Sequence, residues 1–128
     1  MKNPRITKKE QGLLKGALRR VFSRSELRRA VIDAALVEHS DPSRPRVKKW
    51  CRCAICKLPE AKSYVAVDHI SPVIPLDRSF EEMSIDEVVN RLWCLLDNLQ
   101  VLCETCHDDK TAEERKARKK IKDKLANE

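Results

Sequence analysis

Asn98-Leu-Gln-Val-Leu-Cys-Glu-Thr-Cys-His107 runs a mostly apolar tetrapeptide into a CxxC pair that abuts a histidine. An earlier CxxC, Cys53 and Cys56, supplies the matching half. Two such pairs make a closed tetrahedral zinc site, because thiolate is a soft ligand and two intervening residues let both sulfurs of a pair reach one ion. Cys53, Cys56, Cys103 and Cys106 are therefore the expected ligands of a structural Zn²⁺. Cys51 lies only two residues before Cys53, the wrong spacing for such a knuckle, and is expected to be a bystander. Cys94, between Leu92 and Leu95, reads as a small buried apolar residue. Beside the four thiols stand Asp68, His69, Asn98 and His107, residue types suited to activating a water and holding a hard cation.

The remaining composition narrows the class. A chain of 128 residues is one domain, or one domain with an extension, and only 4% of it is aromatic. Its core must be modest, and a structural metal would supply stability that such a core cannot. No apolar run follows the first residues and no stretch approaches the ~18 apolar residues of a membrane span. The expectation is a chain without a secretory signal, in a reducing cytoplasm, with metal-bound thiolates rather than disulfides. The net charge of +7 divides unevenly: +10 over residues 1–52, −4 over 53–102 and +1 over 103–128. A polyanion bound by the basic front and a divalent cation bound by the acidic centre fit that division. Gly12 and Gly16 are the only glycines, which removes the common phosphate-cradling loops from consideration.

Two helices are expected at 11–22 and 25–38, the second opened by a capping box Ser23-Arg-Ser-Glu26, with Leu27, Ala30, Val31, Ala34 and Ala35 on its core face. Asp41-Pro-Ser-Arg-Pro45 breaks the pattern and marks a linker. The chain is accordingly divided into a basic helical extension, residues 1–46, and a metal-stapled domain, residues 47–128. Tyr64-Val-Ala-Val67 reads as a strand delivering Asp68-His69 at its end, before Pro72 and Pro75. Ser84-Ile-Asp-Glu87 opens a further helix through Val88, Val89, Leu92 and Trp93. Leu99–Leu102 is a second strand, and a charged helix runs from about Cys106 to Leu125. Trp50 and Trp93 read as core, and His39 as an exposed residue at a helix end.

Val67-Asp-His-Ile-Ser-Pro72, followed by Asp97-Asn-Leu-Gln-Val-Leu-Cys-Glu-Thr-Cys-His-Asp-Asp-Lys-Thr111, resembles the zinc-binding variant of the HNH endonuclease signature. The resemblance covers roughly residues 50–111, with the two CxxC pairs, His69, Asn98 and His107 in family order. More loosely, the whole chain resembles small bacteriophage-encoded HNH proteins, and it would then act in the host cytoplasm. The implied fold is α+β: a ββα-metal finger stapled by a four-cysteine zinc site, with a helical basic N-terminal extension. His69 is the implied general base, since an imidazole can take a proton from water near neutral pH. Asp68 and His107 are the implied ligands of one catalytic divalent ion, and Asn98 the implied support that holds the loop around His69. Some family members carry a further metal-binding histidine where this chain has Thr111, which favours Mg²⁺ or Mn²⁺ at an oxygen-rich site. The span between His69 and Asn98 is also longer than in many members.

The implied activity is metal-dependent hydrolysis of double-stranded DNA, leaving 5′-phosphate and 3′-hydroxyl ends, with one site nicking one strand. Arg19, Arg20, Arg24, Arg28, Arg29, Arg44, Arg46, Lys48 and Lys49 are the candidate contacts to the duplex backbone, and Lys110 a candidate phosphate contact one turn after His107. Two other readings stay open. One is a non-catalytic zinc-finger module that binds DNA. The other is a nuclease subunit that depends on a phage packaging or replication protein.

Overall fold

The structure, a computed structural model, describes residues 5–127. Helix α1, Lys8–Phe22, opens with a reciprocal capping box between Thr7 and Glu10. Helix α2, Glu26–Ala34, is capped by Ser25, whose hydroxyl accepts from the Arg28 N–H at 3.1 Å. The box expected from Ser23 does not form. Ser23 closes α1 instead, and Ser25 is the serine whose extended backbone suits an N-cap.

Helix α2 also ends four residues short of position 38. Leu36–Val37 peels away as strand β1 and pairs antiparallel with β2, Trp50–Arg52, in the register Leu36↔Cys51 and Val37↔Trp50. The buried face of α2 is turned from the expected one: Val31 and Ile32 are buried, with Leu27 and Ala35 packed beside them, while Ala30 and Ala34 are exposed. Strand β3, Pro59–Ala61, completes a three-stranded sheet of order β1-β2-β3. The linker near residue 46 is thus a loop within one packing unit, because strand pairing and core contacts join the segments on either side of it.

Strand β4, Ala66–His69, starts two residues later than the sequence suggests, since Lys62–Tyr64 forms a single 3-10 turn. It pairs antiparallel with β5, Leu99–Leu102, placing Asp68 opposite Gln100 and His69 opposite Leu99. Between these strands lie the proline loop, a 3-10 turn at Phe80–Glu82, and α3, Ile85–Leu92, opened by the Ser84–Glu87 capping box. Strand β5 passes through Cys103 directly into α4, Glu104–Ala126, which begins two residues before Cys106. Among the described residues the architecture is α+β: four helices, two small antiparallel sheets and a cluster of four cysteines.

Phe22, Val31, Ile32, Cys51, Met83, Val88, Leu92, Leu99 and Val101 share one core, so α1, α2, α3 and both sheets close on the same apolar centre. Trp50 is buried and Trp93 packs against the core edge. His39 is exposed in the loop after β1, not at a helix end, with its ring set edge-on to Trp50. Lys15 is 1% exposed, yet its ammonium donates to the Phe80 carbonyl at 2.6 Å and lies 4.7 Å from the Phe80 ring centre. That bond ties α1 to the segment before α3. No helix among the described residues is long and apolar enough to cross a membrane.

Candidate active site and metal centre

The first CxxC sits in the hairpin between β2 and β3, and the second where β5 becomes α4. The Ala54 N–H donates to the Val101 carbonyl at 2.8 Å, so the hairpin tip is fastened to β5. This brings the sulfurs of Cys53, Cys56, Cys103 and Cys106 within 4.8 Å of one another, with Cys56 and Cys103 3.9 Å apart. Tetrahedral zinc–thiolate bonds of about 2.3 Å require sulfur separations of about 3.8 Å, so the four can hold a metal such as zinc. Electrostatics point the same way. Burial opposes a thiolate at Cys53, but backbone N–H groups of Cys103, Cys56 and Ile55 aimed at its sulfur lower its pKa to about 6. Cys106, crowded by the Cys103 sulfur and then by Cys53 and Cys56, is pushed up to about 12. Four adjacent thiols cannot all ionise unless a cation lies among them. Among the described residues this is the one group of three or more His, Cys, Asp or Glu side chains disposed to hold an ion. Cys51 stays outside it, buried, with its sulfur 3.9 Å from the Ile32 carbonyl.

Beside the cysteine cluster, α1, the end of β4, the proline loop and α4 enclose a groove of about 910 Å³. Asp68, His69 and His107 all line it. His69 Nε2 lies 2.9 Å from the Leu92 carbonyl oxygen. A carbonyl can only accept, so Nε2 carries the proton and a neutral ring keeps its lone pair on Nδ1. The ring also packs on Phe22, with centroids 5.1 Å apart. Position and tautomer of His69 are therefore set by α3 and α1, elements far from it in sequence.

Asn98 lies behind the strand end. Its Oδ1 accepts from the Ser71 N–H at 2.7 Å, its Nδ2 donates to the Ser71 carbonyl at 3.2 Å, and its own carbonyl accepts from Ile70 at 2.8 Å. Two arginines hold the loop beyond. Arg91 donates to the carbonyls of Val73 and Pro72, and Arg118 to those of Pro75 and Ile74. Asp68 accepts from Gln100 Nε2 at 2.9 Å and pairs with Lys110 at 3.1 Å. Lys110 also donates to the His69 carbonyl and pairs with Glu114. Burial opposes the charge on Lys110, but Glu114 and Asp68 outweigh it and raise its pKa.

The basic residues singled out from the sequence are spread over several recesses. Arg19 and Arg28 line the groove, with Arg115, Arg118 and Lys122 of α4. Arg20 and Arg24 border a separate recess against Trp93. Arg46, Lys48 and Lys49 border a third, with Lys62, which Arg28 joins to the groove. Arg29 is exposed. Arg44 is paired with Glu60 and lies over the rings of Trp50 and Tyr64.

Glu114, Arg91, Arg118 and the Leu92 carbonyl carry no motif, and Gln100 lies within one but is assigned no role, so sequence reasoning passes over them. Arg118 falls in a run of bases, Arg115 to Lys124, that gives no sign that it turns inward. Comparison with protein-family models, with curated proteins and with solved structures finds no match. What the site can do rests on its own geometry.

Proposed function

We propose that the chain is a metal-dependent DNA endonuclease of the HNH type, its β4–β5–α4 unit serving as a ββα-metal finger stapled by zinc. The observation that carries this reading is His69: its Nε2 is committed to the Leu92 carbonyl while the ring lines the same groove as Asp68 and His107. In this reading Nδ1 of His69 takes the proton from the attacking water. Asp68 offers the carboxylate oxygen that a small hard cation prefers, His107 would add one imidazole nitrogen beside it, and an ammonium already rests against the Asp68 carboxylate. Such an ion, Mg²⁺ or Mn²⁺, would supply charge stabilisation at the phosphate and the departing 3′ oxygen. Asn98, Arg91 and Arg118 hold the loop after β4, and Arg19, Arg28 and Arg115 give the groove the positive rim a phosphate backbone requires.

One rival has an observation in its favour. Lys110 neutralises Asp68, as it would in a purely structural ion pair, and a zinc-bearing DNA-binding module without catalysis needs no more. Supercoiled plasmid incubated with the zinc-loaded chain separates the two. The nuclease reading expects nicks that form with Mg²⁺ or Mn²⁺, stop with EDTA, and are resealed by a ligase requiring 5′-phosphate and 3′-hydroxyl ends. Salt-sensitive binding with no nicks in either metal would leave the module.

A further inference from the structure

Lys110 lies one turn past His107 on α4, but its ammonium turns back toward β4 instead of out to solvent. Its side chain is 17% exposed and that of Asp68 12%. Nζ sits 3.1 Å from Asp68 Oδ2 and 3.1 Å from the His69 carbonyl oxygen, and it pairs with Glu114 one helical turn further on. The carboxylate that a divalent ion in the groove must use is thus already occupied by a cation, and a second carboxylate stands ready to keep that cation nearby.

We infer that Lys110 is a resident counter-cation that competes with the divalent ion for Asp68, and that this competition makes metal and DNA phosphate bind cooperatively. The inference rests on the nuclease reading above. An ammonium and a divalent ion repel one another strongly when both are set against one half-buried carboxylate. Entry of the ion therefore displaces Lys110. Glu114 retains the displaced side chain at the groove, where a phosphate oxygen is the available partner. In the other direction, a phosphate that takes up Lys110 first leaves Asp68 free for the ion. Each ligand removes the obstacle to the other, and thermodynamic linkage makes the effect equal in both directions.

The test is Mn²⁺ affinity, read from the electron paramagnetic resonance signal of free Mn²⁺. The full zinc-loaded chain carries His69→Ala so that no DNA is cut, and binding to DNA alone is subtracted. A short duplex should tighten Mn²⁺ binding to this parent about fivefold or more. Adding Lys110→Met should tighten it by a similar factor without DNA and abolish the gain from the duplex. Adding Glu114→Gln leaves Lys110 with Asp68 alone, so it should weaken Mn²⁺ binding without DNA and enlarge the gain from the duplex. That variant stands on its own if Lys110→Met does not fold. If Lys110→Met binds Mn²⁺ no more tightly than the parent, or Glu114→Gln leaves the duplex effect unchanged, the inference is overturned while a metal site at Asp68 survives. If Asp68→Asn binds Mn²⁺ as the parent does, the ion is not at Asp68 and the nuclease reading falls as well.

Discussion

Lys57, the residue after the first CxxC, has φ 65°, the only positive φ at a non-glycine position among the described residues. Its N–H donates to the Cys53 carbonyl at 3.0 Å, closing the tight turn that points two sulfurs at one centre. Such a conformation costs an L residue about 1–2 kcal/mol, more for a β-branched side chain. Lys57→Gly should therefore leave thermal stability unchanged or raise it by up to about 1 kcal/mol, and Lys57→Val should lower it. Asn98 makes a different prediction. Asn98→Ala removes both side-chain bonds to Ser71, which are exposed to water, so its stability cost should be about 1 kcal/mol. Its effect on plasmid nicking should be larger, with zinc content intact, because the loop beside His69 loses both side-chain ties at Ser71. An Asn98→Ala protein that nicks at the parent rate would remove Asn98 from the site. The cysteine cluster was legible because CxxC is a local pattern whose geometry travels with it. The orientation of Lys110 was not, since it depends on Asp68, forty-two positions earlier, lying opposite Gln100 in a strand pair.

Helix α3 shows how an element far in sequence from the groove helps to build it, because its C-terminal carbonyl at Leu92 receives His69. The N-terminal end of α3 is held by Glu87, which closes the capping box with Ser84 and pairs with Arg78. The hydrogen bond from Arg78, then those from Ser84, bring the Glu87 carboxyl down from 4.5 to about 2. A carboxylate depressed in the folded state stabilises above its unfolded pKa and loses that contribution as pH falls toward the folded value. Glu87→Gln should therefore be less stable than the parent above pH 4.5, with the gap closing between 4.5 and about 2, as read from denaturant unfolding across that range. A gap that persists below pH 2 would assign the effect to packing. The Ser84 box, β5 and the breadth of α4 could be read from sequence because each is specified by neighbours a few residues apart. The end of α2 could not be, because Leu36 and Val37 are drawn out of the helical pattern by Trp50 and Cys51, which the sequence places beyond a proline-broken loop.

For the molecule as a whole, a core with few aromatic side chains is flanked at one end by four cysteines, two from the β2–β3 hairpin and two from the β5–α4 corner, that could hold a metal between them. Without a cation the thiols repel further ionisation, and the tip of the hairpin is left with the bond from Ala54 to Val101, while β2 stays paired with β1. Removal of metal by a strong chelator should lower the melting temperature by more than about 10 °C and broaden the transition, and Cys106→Ser should act in the same direction. A melt unchanged by the chelator would show that the cluster is not structural. Cys106 of the cluster and His107 of the groove are neighbours at the start of α4, so metal-dependent stability and the proposed chemistry are read by separate variants of one scaffold. The decisive comparison is the rate of Mg²⁺- or Mn²⁺-dependent plasmid nicking by the parent and by His69→Ala, both folded and zinc-loaded. Loss of a general base predicts a fall of about a hundredfold or more. A His69→Ala protein that nicks within a few-fold of the parent, or a parent that never nicks, would contradict the assignment of His69 as the base.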